Sequence, residues 1–165
     1  MGGAEKLMFE ITQFARQNNI EPTLLILDNY NTEYYDPIFK ANNIKFIKTR
    51  IDSFKHFRAP VKMFTSIYWA IKLKYFAEKN YDTVHVMGLY NVYRILGKIN
   101  HKRRFFWHVT NNAQYTNREY NFYGNIFDNP LDTIICINKY QVDELHTEYN
   151  HVMKCKINLF KLFVA

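Results

Sequence analysis

The sequence predicts an α/β fold in which an open parallel sheet carries helices on both faces. Three observations lead there. Short apolar runs alternate with stretches of helical periodicity along the whole chain. The runs are mostly continuous rather than alternating in polarity, as in strands buried on both faces. At 165 residues, 48% hydrophobic and 22% charged, the chain can bury the core of one ordinary domain.

The elements follow in order. Residues 4–18 read as a helix, because Leu7, Ile11, Phe14 and Ala15 fall at i, i+4, i+7 and i+8 and make one apolar stripe. Asn18-Asn19 ends it. Thr23 to Leu27, after Pro22, is an apolar run that predicts a doubly buried strand, and Asp28 to Asn31 a polar turn. Residues 36–42 form a short helix with Pro37 at an early position, where its missing N–H costs little. Ile44 to Ile47 is the next strand. Val61, Phe64, Ile67, Tyr68, Ile71 and Tyr75 keep helical spacing and predict a long helix from Val61 to Glu78, with Pro60 near its start. Thr83 to Met87 is a strand closed by Gly88, residues 89–98 a helix ending near Gly97, and Arg104 to Val109 another strand. Residues 110–130 are polar, aromatic and Asn-rich, as in a long loop or lid. Thr133 to Ile137 is a strand, and Asn138 caps a helix that runs to Tyr149. The tail from Lys156 to Ala165 reads as a divergent last strand or a frameshift scar. No repeat or linker interrupts this order, so residues 1–165 are expected to form a single domain.

Composition excludes several chemistries. With 5 Gly the chain cannot build the common glycine-rich phosphate loops. Its serines, Ser53 and Ser66, lack the flanks of a Gly-x-Ser-x-Gly nucleophile elbow. No His-Glu-x-x-His, Cys-x-x-Cys or Asp-x-Asp is present, so no metal site is expected. The 2 cysteines, Cys136 and Cys155, do not make a disulfide framework, which fits a reducing compartment. A Cys136–His108 nucleophile pair on neighbouring strands is conceivable, but a thiol in mid-strand is desolvated and inert. No stretch approaches the ~18 apolar residues of a membrane span, and no secretory leader pattern opens the chain. The expected location is the cytoplasm.

Charge is uneven. The net charge is +7, yet residues 45–104 hold 14 basic and 3 acidic side chains. One cluster runs through Lys45, Lys48, Arg50, Lys55, Arg58 and Lys62, interleaved with Phe46, Phe54, Phe57 and Phe64; another is Lys102-Arg103-Arg104. A solvated face, an anionic membrane surface and nucleic acid all fit this pattern. No nucleic-acid motif accompanies it. The membrane reading assigns Lys48, Arg50, Lys55, Arg58 and Lys62 to the inner face of the cell membrane.

The punctuation between elements carries a resemblance. Gly2-Gly3-Ala4-Glu5-Lys6 opens the first helix. Tyr81-Asp82-Thr83-Val84-His85-Val86 starts a later strand, and Phe105-Phe106-Trp107-His108-Val109 forms the next. Asp132-Thr133-Ile134-Ile135-Cys136-Ile137-Asn138 follows, before a helix with Asp143-Glu144-Leu145. In this order and spacing, from Gly2 to about Tyr149, they resemble the N-terminal domain of GT-B glycosyltransferases of the glycosyltransferase family 4 kind. The resemblance implies a Rossmann-like half of a GT-B fold and a retaining sugar transfer from a nucleotide-sugar donor to a glycan or lipid-linked acceptor, of the sort that builds capsule, exopolysaccharide or cell-wall glycans. It implies that Gly2 and Gly3 approach the donor diphosphate, where a helix N-terminus favours an anion. It places His85, Met87, Gly88, His108 and Asn111 on the acceptor side, at strand ends where open parallel sheets bind ligands. No cofactor is expected on this chain itself.

The chain departs from that pattern in instructive ways. Met87 stands where family members often carry a second His, and Thr110 stands where some relatives carry another. The family's first strand, which lies in the centre of its sheet, and its C-terminal donor-binding domain have no counterpart here. The expectation is therefore a fragment, inactive alone, marginally stable and prone to associate, because loss of a central strand leaves two neighbours with unpaired edges. The alternatives are a non-catalytic module that completes a split glycosyltransferase and, with less support, a basic nucleic-acid-binding protein.

Overall fold

The computed structural model describes residues 3–26, 33–48, 79–87, 99–109, 129–149 and 153–161, with the single helical positions Phe64, Ile67, Ile71 and Lys74. The expected turn at 28–31 and helix at 89–98, and the loop except its last two residues, lie outside them. The chain divides into two compact units, Met1–Tyr75 and Phe76–Ala165. It is an α/β protein whose described strands pair in parallel, in a two-stranded and a four-stranded open sheet.

The first unit contains α1 (Gly3–Gln17), β1 (Thr23–Ile26), α2 (Tyr35–Ala41) and β2 (Lys45–Lys48). β1 and β2 pair in parallel from Thr23 with Lys45 to Ile26 with Lys48. Leu24, Phe39 and Ile44 are buried, and Met8, Phe9, Ile26, Tyr35 and Phe46 pack on them. Much of this core is aromatic. Phe39 has ring centroids of Phe9, Tyr35 and Phe46 at 6.3, 5.8 and 5.6 Å, the offset and tilted range aromatic quadrupoles favour. Asn19 and Asn43 take positive φ of 58° and 53° just after α1 and α2, as Asn does at helix C-termini.

Two expectations change here. The buried side of α1 is rotated from the expected stripe. Met8 and Phe9 reach the core, Thr12 is buried and Phe14 is 65% exposed. Thr12 is polar, but its hydroxyl donates to the Met8 carbonyl at 2.6 Å and so can be buried. β1 is also less enclosed than a doubly covered strand, since only Leu24 of its four residues is buried.

The second unit contains β3 (Tyr81–Met87), β4 (His101–His108), β5 (Asp132–Cys136), α3 (Lys139–Tyr149) and β6 (Lys156–Leu159). The sheet order is β3-β4-β5-β6. The tail is thus a strand, parallel to β5 from Thr133 with Lys156 to Cys136 with Leu159. α3 starts where expected. Asn138 Oδ1 accepts from the Gln141 N–H at 2.9 Å, and Gln141 Oε1 accepts from the Ile137 N–H at 2.9 Å, a reciprocal arrangement akin to a capping box. Val142, Leu145 and Tyr149 of α3 cover Val86, Phe106, Ile134 and Cys136 of the sheet. Cys136 ends β5 rather than lying within it, yet it has no exposed surface.

Candidate functional site

Strand alternation decides what the second sheet can offer. Residues paired across parallel strands share a face, and successive residues alternate. His85 pairs with Phe105 and Met87 with Trp107. His108 pairs with Cys136. His85, Phe105, Met87 and Trp107 therefore share one face, and His108 belongs to the opposite face with Phe106 and α3. The two histidines expected on one acceptor site are separated by the sheet.

His85 is held by its neighbours. The Trp107 indole N–H donates to its Nδ1 at 3.0 Å. An indole can only donate, so Nδ1 carries the lone pair and the neutral ring holds its proton on Nε2. The ring stacks on Phe105 at 4.9 Å and 21°, and Trp107 meets Phe160 edge-on at 5.6 Å. Desolvation by these aromatic neighbours lowers the His85 pKa from its ordinary value. The residue as a whole stays exposed. His85 is thus a neutral, oriented imidazole with a donor available near the C-terminal end of β3.

His108 differs. It is the last residue of β4 and 1% exposed. Its Nε2 lies 3.9 Å from Glu144 Oε2 on α3. A carboxylate there favours the imidazolium, yet burial dominates and pushes the pKa down to about 4. Beside it, burial first of all, with Cys155 and Glu144 adding to it, pushes the Cys136 thiol up to about 12. A thiolate–imidazolium pair needs the opposite order of pKa values, so register neighbours His108 and Cys136 do not form a nucleophile. Among the described residues no group of three His, Cys, Asp or Glu side chains could hold a metal ion.

The remaining expected site residues fall as follows. Gly3 is the first residue of α1, exposed, and a Cβ there would meet nothing within 4 Å. Close packing therefore does not require glycine at this position. Met87 is half-buried at the end of β3. Lys48 sits on Asp36 at 2.5 Å and Glu33 at 3.5 Å, with its side chain 18% exposed, so its charge is neutralised inside the first unit. Gly2, Gly88, Arg50, Lys55, Arg58, Lys62 and Asn111 lie outside the described residues.

The second basic cluster is also partly neutralised. Lys102 bonds Asp82 at 2.6 Å on the surface. Arg104 lies on Asp132, with Nε at 3.2 and 3.1 Å from its two oxygens and a further contact from the terminal nitrogen, and its guanidinium sits 5.0 Å over the Phe106 ring. Asp132 is 1% exposed. Sequence reasoning missed this pair, Trp107 as the partner of His85, and Glu144 beside His108. Strand parity held part of the signal: His85 faces Phe105, and Phe105 stands an odd number of residues before His108.

No family model, curated protein or solved structure matches this chain.

Proposed function

We propose that the chain is the acceptor-side domain of a retaining glycosyltransferase of the GT-B kind, with the nucleotide-sugar donor held chiefly by a second domain. The observation that carries this reading is the coincidence of the family-like motifs with the boundaries of parallel elements. Gly3 opens α1, His85 lies on β3, His108 ends β4, and the Asp132–Asn138 run forms β5 and the cap of α3.

In this reading His85 is the acceptor contact. Its Nε2–H donates to a hydroxyl or phosphate oxygen of the acceptor, and Trp107 keeps that tautomer. His108, buried against α3, supports the strand end without touching ligand. The N-terminus of α1, a helix of 15 residues, supplies backbone N–H groups and a positive dipole end to the departing diphosphate. That is electrostatic stabilisation of leaving-group charge rather than strong acid–base catalysis.

Nitrogen-resolved NMR of the full chain tests the assignment. Glycan and lipid-linked acceptor headgroups are expected to shift the His85 ring and the Trp107 indole N–H, while free nucleotide sugars leave both in place and perturb the Gly3 amide. A folded chain whose His85 and Trp107 signals ignore the whole acceptor panel would refute it.

A further inference from the structure

Register builds a second feature on the sheet face opposite α3. Met87, Trp107, Ile135 and Asn158 pair in turn across β3, β4, β5 and β6, so they lie in one row on that face. Phe160 follows just beyond β6 and meets the Trp107 indole edge-on at 5.6 Å. The same indole meets the His85 ring at 6.2 Å and donates its N–H to Nδ1. Trp107 is 5% exposed, whereas Phe160 is 49% exposed and His85 and Asn158 are exposed. A half-open aromatic ring braced edge-on by a buried one is held in place and still keeps surface for a ligand.

Charge and polarity identify the ligand. This row and Phe160 include no charged side chain; Arg103 and Lys156 share the face but lie toward the N-terminal ends of their strands. A phosphate, or a nucleobase arriving on its nucleotide, would find no countercharge beside Phe160. What the face offers is an aromatic ring, a carboxamide that both donates and accepts, and a neutral imidazole N–H. A sugar matches that set, with C–H groups that lie on the electron-rich aromatic face and hydroxyls that donate and accept. β3 and β6 are the outer strands of the described sheet, about 14 Å apart at 4.8 Å per step, so a single sugar ring does not reach both. We infer that the acceptor is an uncharged oligosaccharide of at least two sugars, one ring stacked on Phe160 beside Asn158 and a hydroxyl of another on His85 Nε2–H. This rests on the acceptor-side reading of His85 and narrows its partner from hydroxyl or phosphate to hydroxyl. Phe160 and Asn158 become specificity-determining residues that lie outside the family-like motifs.

The test is NMR titration of the full chain, following the Trp107 indole N–H and the His85 ring, with maltotriose, cellotriose and chitotriose, their monosaccharides, an isoprenyl phosphate and uridine monophosphate. At least one trisaccharide is expected to move both signals and to bind tenfold or more tighter than its monosaccharide. Phe160→Leu should lose about tenfold in trisaccharide affinity and Phe160→Tyr should keep it. Asn158→Ala, at an exposed position, should lose about fivefold with an unchanged urea midpoint. Unchanged affinity in Asn158→Ala and Phe160→Leu overturns the inference, and if Phe160→Leu is destabilised, Asn158→Ala alone decides. Signals that follow the isoprenyl phosphate and ignore the sugars overturn it while leaving the acceptor-domain reading standing. Signals that follow uridine monophosphate instead overturn it in favour of a nucleotide platform. Signals that ignore every probe overturn the inference and the acceptor-side reading together.

Discussion

Acidification should destabilise this protein through His108. In the unfolded chain the imidazole titrates near 6.5, and in the fold burial pushes it down to about 4. Between those values the unfolded state binds more protons, so its population grows as pH falls. The stabilising contribution is complete above pH 6.5 and is lost progressively toward pH 4. With one pKa unit equal to about 1.4 kcal/mol, the linkage integral from pH 7 to pH 5 comes to about 2 kcal/mol. That is roughly 1 M in urea midpoint for an ordinary m-value. Carboxylates titrate in the same range, so the measurement is a difference between two proteins. Urea midpoints are taken at both pH values for the wild type and for His108→Gln, which cannot titrate. The wild type should lose about 2 kcal/mol more than the variant. Equal losses in the two proteins would mean that His108 already protonates at its ordinary pKa inside the fold, with Glu144 at 3.9 Å outweighing burial, and the reasoning would fail.

Two further outcomes follow from the second unit. Arg104→Met leaves the Asp132 carboxylate, 1% exposed, without its guanidinium, and should cost about 3–5 kcal/mol by urea titration; adding Asp132→Asn should restore a large part of that. Cys136 and Cys155 are both free and buried, with thiols pushed up to about 12 and about 11, chiefly by burial. A thiol reagent such as DTNB should therefore label neither cysteine in the native protein and both after unfolding.

The alternation of apolar runs and helical stretches was enough to place the elements, because continuous runs such as Thr133 to Cys136 have few other uses than a covered parallel strand. β3 and β4 begin earlier than expected, at Tyr81 and His101, since His101, Lys102 and Arg103 look like surface loop by polarity alone. Their backbones are recruited by the neighbouring strand, which propensity does not register. Side-chain direction was harder to read. Thr12 is buried because a local hydrogen bond satisfies it, and Phe14 is exposed although helical spacing includes it in the stripe. Charge was hardest of all. Lys48, Lys102 and Arg104 count as surface cations in the sequence, yet each meets a carboxylate 12 to 28 residues away in the chain, and only the fold brings those partners close.

Among the described residues neither sheet contains a hairpin. Every described strand pair is parallel, and the first partners in register are separated by 20 residues at least (Tyr81 with His101) and by 28 at most (Arg104 with Asp132). None of these pairs can zip from a tight turn. Each pairing must close a long loop before its first hydrogen bond forms, an entropic cost that rises with the logarithm of loop length. Helices α1 and α3, whose hydrogen bonds are local, can form long before the strands they cover have found each other. Folding of this chain is thus set by a slow search for strand partners. During that search the apolar runs around Leu24, Phe106 and Ile134 stay uncovered, and the time spent there, more than the strength of the finished contacts, governs how much protein reaches the native state at high concentration.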